Sequence, residues 1–500
     1  MQRHAAAERV AGPLLPVAAP RSHLVQAWGA LAAPGVVLAA AVGWSALRGI
    51  DHRFISFSDG VYMYSASLAA AHGAGVLYHT VALSLPPGTL LGATFLWKLS
   101  PHIESVRLGL AGLSALTALL SYSVARSIFG LGSRAAVVAA LVALTGPVQA
   151  QFVGLDGEAF LTPLALALAL AVERRRIAFA TTLLGVGFFV KVTWAPFFVA
   201  GVVALAVRYG RRTALEACAG GVLVALALYA TAMLAFGWSF HDLVAQLVLA
   251  EAHSDLQLRL VAGLIVVVAA LWWPLLLLAR HGLRCAGATS LLLMAAGAAS
   301  ALYMLKQGTF FNVLAPLEPF LVVAAVAGAA ILWRGGTRRA RALVVACALA
   351  ICLHAASVSG AMLTRAVPFP LGAAFVDVDN EAAVDRIAAT VKTHTAGDEP
   401  VLVNPFFALV AQRHEAGNAV DWFILRALQR YCGSDSTRAR HCTDWARVKT
   451  MVRLRRVAVV TVDTNVVSFD RGFERETKVR SMRRVIDVQA PPIKTAVYVR

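Results

Sequence analysis

Charged residues are scarce in this chain of 500 residues: only 14% are charged, whereas 59% are hydrophobic. A soluble globular protein carries about a quarter charged residues, so this sequence has too few charges to cover a surface that faces water. The mean hydropathy of +0.70 agrees. Apolar runs of about 20 residues, the length that crosses roughly 30 Å of hydrocarbon, recur along the first 360 positions. A water-soluble fold is therefore excluded.

Acidic residues are also few, with 27 Asp and Glu against 45 Lys and Arg, and the net charge is +18. The basic residues form short clusters between the apolar runs, as in the cytoplasmic loops of membrane proteins, so we do not predict nucleic-acid binding. The sequence shows no phosphate-binding Gly loop, no Gly-x-Ser-x-Gly elbow and no metalloprotease helix. Its six cysteines have no spacing typical of a zinc site.

About eleven crossings are predicted from the apolar segments, after a cytoplasmic tail of residues 1–27. Basic clusters in alternate gaps place those gaps in the cytoplasm. The stretch Leu83–Leu99 contains Pro86-Pro87-Gly88 and is predicted to lie at the outer surface without crossing. Ile177–Val207 is predicted to be a hairpin of two short helices broken near Pro196. The predicted spans are 28–48, 105–126, 135–152, 157–172, 177–190, 194–207, 214–236, 259–279, 285–305, 310–333 and 341–360.

The composition changes after residue 360, where long apolar runs end and charged residues become frequent. Residues 381–394 have helical periodicity, and strands are predicted at 400–404, 456–462 and 496–500. We therefore predict an α-helical polytopic membrane protein: a transmembrane domain of residues 28–360, with outer loop 49–104, and a small α/β domain of residues 361–500. The topology places this domain outside the cytoplasm, on the outer side of a plasma (bacterial inner) membrane.

Cys432 and Cys442 lie in the C-terminal region and are separated by polar residues. In an oxidising compartment, two cysteines that close a short loop are good candidates for a disulfide. The alternative is a pair of free thiols, and the choice depends on the predicted topology.

One segment after the first predicted span combines an acid, several aromatic residues and turn formers. It reads Phe57-Ser-Asp-Gly-Val-Tyr-Met-Tyr-Ser-Ala-Ser-Leu-Ala-Ala-Ala-His-Gly73, followed by Gly75-Val-Leu-Tyr-His79 and Leu85-Pro-Pro-Gly88. This string, with an amphipathic helix that begins near Asp59, resembles the first outer loop of bacterial GT-C glycosyltransferases. These include protein O-mannosyltransferase-like enzymes and lipid A aminoarabinose transferases. The resemblance implies that Asp59 is the catalytic base or orients the acceptor. Many members have two adjacent acids, whereas Gly60 follows Asp59 here.

Three later stretches are similar to other parts of the GT-C pattern: residues 151–164, 185–191 and 306–312. The first resembles a corner whose acid helps hold a divalent ion or the donor phosphate in some members, and either Asp156 or Glu158 could be that acid. The pattern identifies no cofactor with certainty, and a divalent cation, Mg²⁺ or Mn²⁺, is the candidate, with Asp156 as its candidate ligand. The other two stretches contain Lys191, Lys306 and Asn312, which the resemblance implies as substrate-binding residues.

Elementary chemistry agrees with these roles. Ionisable residues in apolar segments are costly and suggest function, and the two lysines are suitable cations for a donor phosphate, with snorkelling to the interface as the alternative. An acceptor hydroxyl needs a positioned carboxylate to take its proton. Further candidates remain open between two interpretations. The side chains of Tyr62, Tyr78 and His79 either line a sugar pocket or belong to the interfacial belt. Arg365 either binds a lipid phosphate or anchors the chain at the membrane surface.

We therefore expect a glycosyltransferase that moves a sugar from a polyprenyl-phosphate donor to an extracytoplasmic glycan, lipid (lipid A or lipopolysaccharide included) or protein. A secondary transporter or lipid flippase is the alternative from another class. Transporters often show internal repeats and broken helices at mid-membrane, and we find no convincing repeat between the halves. A non-catalytic partner in a cell-envelope complex is a third hypothesis.

Overall fold

The computed structural model describes the positions of most residues of the chain. They are 32–43, 57–83, 85–144, 157–249, 269, 272–305, 311–364, 379–418, 420, 422–433, 440–463, 473, 476–490 and 493–500. Three predicted site residues lie outside this set: Asp156, Lys306 and Arg365. The side chains of Asp59 and Asn312 also lie outside it, although their backbones are described.

The described residues up to position 364 are mostly helical. In chain order the helices are α1 (Ala32–Gly43), α2 (Phe57–His72), α3 (Pro87–Leu99), α4 (Ile103–Ser127), α5 (Ser133–Leu144), α6 (Gly157–Glu173), α7 (Ile177–Val190), α8 (Ala195–Tyr209), α9 (Arg211–Phe236), α10 (Phe240–Val244), α11 (272–282), α12 (Ala288–Ala299), α13 (Glu318–Arg334) and α14 (Arg338–Thr364). Each of the eleven predicted spans overlaps one of these helices, so the prediction of a helical membrane half is confirmed.

Three segments in the described part of the chain are long and apolar enough to cross a membrane: Ile103–Ser127, Val192–Tyr209 and Arg211–Phe236. Shorter apolar helices include Ser133–Leu144 and Ile177–Val190. The apolar surface is turned outward on α9, where Leu223 is 65% and Leu234 87% exposed. Such exposure of large apolar side chains suits contact with lipid. The number of crossings stays a prediction.

The helix α3 has 13 residues and therefore rises about 20 Å, less than the hydrocarbon thickness of roughly 30 Å. Pro86 and Pro87 begin it, because Pro at the start of a helix removes no intrahelical hydrogen bond. The predicted break in the next hairpin is also observed: α7 ends at Val190, a 3₁₀ turn spans Val192–Trp194, and α8 begins at Ala195.

The basic gaps meet at one end of the helical bundle. Arg174 Nη2 donates to Ser127 Oγ at 3.1 Å, which joins the gap after α6 to the end of α4. Arg208, at the end of α8, forms an ion pair with Glu173 at the end of α6. We call this the basic end, and the opposite end carries the site described below.

The C-terminal region contains a four-stranded sheet with helices around it. Its elements are α15 (Asp379–Thr393), β1 (Val401–Leu402), α16 (Pro405–Ala411), α17 (Trp422–Cys432), α18 (Asp444–Arg453), β2 (Val459–Asp463), β3 (Arg483–Ala490) and β4 (Ile493–Val499). The strand order is β1-β2-β4-β3; β1 and β2 are parallel, and the other pairs are antiparallel. Helix α15 and strands β1, β2 and β4 lie where periodicity predicted them, whereas β3 was not predicted.

Candidate functional site

Helix α2 carries Asp59 in its first turn, and the residues that follow Asp59 are covered on every side. The seven successive residues 60–66 are all buried, although the sequence suggested an amphipathic helix. One side packs against α3, and the C-terminal domain covers another through α16. Tyr62 is 1% exposed. An aromatic residue buried to this extent does not belong to an interfacial belt, which was one interpretation of Tyr62.

The turn after α2 is built around Tyr78, which is fully buried with a positive φ of 60°. Its hydroxyl donates to the Leu85 carbonyl, and its ring meets the edge of Trp238 at 4.9 Å. The amide of Gln246 bridges the turn: Nε2 donates to the Tyr78 carbonyl and Oε1 accepts from the Leu83 N–H, both at 2.9 Å. Burial raises the pKa of the Tyr78 phenol, so the hydroxyl remains a donor. Tyr78 therefore packs as part of this turn, while the neighbouring His79 is exposed; a role of either residue in binding substrate stays a prediction.

The Pro-Pro-Gly turn packs directly on the end of α7. Thr89 Oγ1 donates to the Val190 carbonyl at 3.1 Å. A Cβ at Gly88 would lie 2.7 Å from the carbonyl oxygen of Phe189, so only glycine permits this approach. Helix α3, which was predicted to lie at the outer surface, therefore packs directly against the helix break at Lys191.

Lys191 and Glu158 form an ion pair at the same place. Glu158 lies in the first turn of α6, its side chain 1% exposed, and Lys191 follows α7, its side chain 17% exposed. Gly157 lets the lysine stem pass, since a Cβ there would lie 2.6 Å from Lys191 Cδ. The buried Glu158 carboxylate fixes the position of the Lys191 ammonium group at this end of the helical bundle. An ammonium group in this position can bind an anion that reaches it.

The C-terminal domain contacts α2 at two points. A Cβ at Gly60 would lie 2.8 Å from both Asn404 Oδ1 and the backbone nitrogen of Phe406. One turn further along α2, Tyr64 Oη accepts from the Glu415 N–H at 3.0 Å and donates to the Arg413 carbonyl at 3.4 Å. The domain is thus part of the wall around the helix that carries Asp59.

Glu415 is an unusual residue at this contact because its carboxyl group is buried, with 4% of the residue exposed. Burial raises the pKa of Glu415 well above its ordinary value. Burial, followed by the charge of Glu415, also raises the pKa of Tyr64.

A second docking point lies beside the disulfide that joins Cys432 to Cys442. Arg440 donates to the Asp242 carboxylate through its backbone N–H at 3.2 Å and through Nε at 3.4 Å. His441 lies between Asp444 Oδ2, at 2.6 Å from Nδ1, and the Tyr78 carbonyl, at 3.4 Å from Nε2. Arg440 and His441 therefore join the C-terminal domain to α10 and to the turn after α2.

Of the predicted site residues, the structure brings Glu158 and Lys191 together beside the Pro-Pro-Gly turn. The backbone of Asn312 lies in a 3₁₀ turn, Phe311–Leu314, that precedes α13. Among the described residues no group of three or more His, Cys, Asp or Glu side chains could hold a metal ion. The proposed metal ligand Asp156 is outside them.

Sequence reasoning missed several buried polar residues. Glu318, at the start of α13, accepts from Trp272 Nε1 at 2.8 Å, and Arg107 in α4 is 5% exposed. A signal for both was available, since each is an ionisable residue inside an apolar segment. Nothing local marked Glu415, whose surroundings come from distant parts of the chain.

No protein-family model matches this chain, and no curated protein matches its sequence. Among solved structures, ArnT from Cupriavidus metallidurans in the apo state has a TM-score of 0.63 at 15% identity, with 95% of this chain and 98% of that chain covered. The same protein bound to undecaprenyl phosphate has a TM-score of 0.60 at 14% identity, with 94% and 98% covered. The likeness extends over the helical half and the C-terminal domain together. The chain therefore shares the fold of ArnT.

Proposed function

We propose that this chain is an inverting glycosyltransferase that moves a sugar from a polyprenyl-phosphate carrier to an acceptor hydroxyl outside the cytoplasm. The observation that carries the proposal is the likeness over almost the whole chain to ArnT, which has been solved with bound undecaprenyl phosphate. The acceptor is an extracytoplasmic glycan, lipid or protein.

The surroundings of Lys191 suit a lipid phosphate. An apolar groove of about 360 Å³ runs between α3, α7 and α9, and its lining includes Leu91, Phe189, Leu228 and Phe236. Phe189, in this lining, precedes Lys191 by two residues at the end of α7. A polyprenyl chain matches an apolar groove, and the phosphate at its end matches a lysine ammonium.

The transfer step uses few groups. In the proposal, the Asp59 carboxylate takes the proton of the acceptor hydroxyl as its oxygen bonds to the anomeric carbon. The bond from that carbon to the phosphate oxygen breaks on the opposite face, which inverts the anomeric configuration. The polyprenyl phosphate leaves with one more negative charge, which Lys191 and Lys306 stabilise. Asp156 or Glu158 is the supporting acid of the site, and Glu158 also holds Lys191 in place through their ion pair.

The proposed orientation follows from the two ends of the bundle. Lys and Arg concentrate in cytoplasmic loops, so the basic end with Arg174 and Arg208 faces the cytoplasm. The opposite end, with α2 and the C-terminal domain, then faces outward, where a disulfide between Cys432 and Cys442 is stable.

The test is sugar transfer in membranes that contain the wild type or Asp59→Asn. Radiolabelled undecaprenyl-phosphate mannose, glucose and arabinose are the donors, and label in the glycan, lipid and protein fractions is the readout. We expect transfer by the wild type and loss by a correctly inserted Asp59→Asn variant. Equal transfer by both would remove Asp59 from the reaction. Movement of labelled lipid between leaflets without any transfer would instead favour a flippase.

A further inference from the structure

The first turn of α2 is held by the C-terminal domain with almost no free space. Gly60 is the contact point, since a Cβ there would lie 2.8 Å from Asn404 Oδ1, 2.8 Å from the Phe406 nitrogen and 3.2 Å from Phe406 Cβ. Real Cβ atoms essentially never approach other heavy atoms closer than 3.0 Å. Any side chain at position 60 must therefore push α2 and the domain apart.

The opposing surface is rigid. Asn404 caps α16 by accepting from the Phe406 N–H through Oδ1 at 3.1 Å. Its own N–H donates to Thr461 Oγ1 on strand β2 at 3.3 Å, and Phe406 and Phe407 are 0% and 2% exposed. The oxygen that faces Gly60 is thus fixed to the sheet of the domain and cannot turn away without losing the cap.

The second contact fixes the rotation of the helix about its axis. Tyr64, four residues after Gly60, lies on the same face, since residues i and i+4 are neighbours on a helix. Its hydroxyl is held between the Arg413 carbonyl and the Glu415 N–H. Two fixed points on one face leave α2 little freedom to shift or turn relative to the domain.

Asp59 immediately precedes Gly60. We infer that the C-terminal domain positions the reacting end of α2, with Gly60 and Asn404 as positioning residues for the transfer reaction. The inference rests on the proposed role of Asp59. It assigns the domain a part in the rate of the chemical step, beyond covering the cavity or selecting an acceptor.

Geometry decides the expected size of the effect. A misplacement of about 1 Å in a reacting group can cost about 100-fold in rate, and a Cβ at Gly60 demands a movement of a few tenths of an ångström or more. Alanine is also a better helix former than glycine, so without the contact Gly60→Ala would stabilise α2. A loss of kcat in this variant therefore reports the contact.

The experiment compares kcat and KM for the undecaprenyl-phosphate sugar that the wild type uses, with full-length purified variants. Gly60→Ala should lower kcat about 10-fold to 100-fold and leave the donor KM within about twofold. Gly112→Ala in α4 is the matched control, since nothing lies within 4 Å of a Cβ at Gly112, and it should leave both constants unchanged. Gly60→Ala with a kcat equal to that of this control would overturn the inference.

Variants at Asn404 separate positioning from folding. Asn404→Ser keeps an oxygen that can cap α16 and should retain most of the wild-type kcat, whereas Asn404→Ala should lose several-fold. Combining Asn404→Ala with Gly60→Ala removes one of the two close contacts, so the double variant should be more active than the product of the single effects predicts. Multiplicative effects would overturn the inference even if Gly60→Ala proved poorly folded.

Asp59→Asn distinguishes this inference from the proposed function. Full transfer by that variant would overturn the role of Asp59 and, with it, the positioning of Asp59 by the domain. An inactive Asp59→Asn together with an unaffected Gly60→Ala would overturn the positioning alone.

Discussion

The ion pair between Lys191 and Glu158 allows stability and sugar transfer to be tested separately. The Glu158 side chain is 1% exposed and that of Lys191 is 17% exposed. Lys191→Met keeps a long side chain but removes the cation that faces the buried carboxylate. Removing one partner of a buried ion pair costs about 3–5 kcal/mol, and the partial exposure of Lys191 favours the lower figure. The apparent melting temperature of the variant in detergent should therefore fall clearly.

The double variant Glu158→Gln/Lys191→Met should recover most of that stability, since replacing a buried ion pair with uncharged groups is often neutral. It should not recover transfer, because no cation would remain there to bind the donor phosphate. Melting temperature and transfer of radiolabelled sugar, measured on the same preparations, provide the two readouts.

A control is available on the protein surface. Arg212 and Glu216 form an ion pair whose side chains are 93% and 64% exposed, so Arg212→Met should cost less than about 1 kcal/mol and leave transfer unchanged. If the double variant melts as low as Lys191→Met, the ion pair is not the source of the lost stability. If the double variant transfers sugar like the wild type, Lys191 does not bind the phosphate.

Three further outcomes are expected for the C-terminal domain. Because burial raises the pKa of Glu415, the folded chain keeps this proton to a higher pH than the unfolded chain. The stability that protonated Glu415 contributes is fully present below the pKa that Glu415 has in the unfolded chain. It is lost as pH rises through the pKa that Glu415 has in the folded chain. The melting temperature should therefore fall as pH rises above the ordinary pKa of a glutamate carboxyl, and Glu415→Gln should reduce that slope; an unchanged slope would contradict the assignment. Replacing Cys432 and Cys442 by Ser removes a bridge across a sequence separation of 10, which should destabilise the domain by about 2–3 kcal/mol and speed its hydrogen exchange; equal exchange would show that the bridge is dispensable. Asp242→Ala should weaken the hold on Arg440 and increase proteolysis near that residue, and unchanged digestion would argue against docking through this pair.

The helical half could be predicted from the sequence because its signal is local. A span is an apolar run of the right length, and α4, α7 and α9 match their predicted bounds within a few residues. Basic residues at the ends of the spans predicted which gaps lie on the cytoplasmic side. The contacts of Arg174 and Arg208 join gaps that were predicted to lie on the same side. Pro196 marked the break between α7 and α8 for an equally local reason, since proline cannot donate to a helix.

The site was predictable only in part, because its geometry depends on contacts between distant segments. Lys191 and Glu158 were candidates by residue type and by resemblance, but nothing in the sequence indicated that they form an ion pair. Tyr64 and Glu415 are 351 residues apart, and neither carries a local sign of the other. Glu318 differs from these, since an acid within an apolar run was visible and the argument applied to the lysines applies equally to it.

Gly60 departs from the two adjacent acids of many GT-C enzymes, and the structure supplies a physical reason. An acid at position 60 would place its Cβ 2.8 Å from Asn404 Oδ1 and from the Phe406 nitrogen. The C-terminal domain could therefore not pack against α2 in its present position if residue 60 were an acid. Gly60→Asp, which would recreate the adjacent pair, should lower kcat at least as much as Gly60→Ala, because its carboxylate would also face the fixed Asn404 oxygen. A gain in transfer by Gly60→Asp would show that the acid at this position matters more than the fit of the domain.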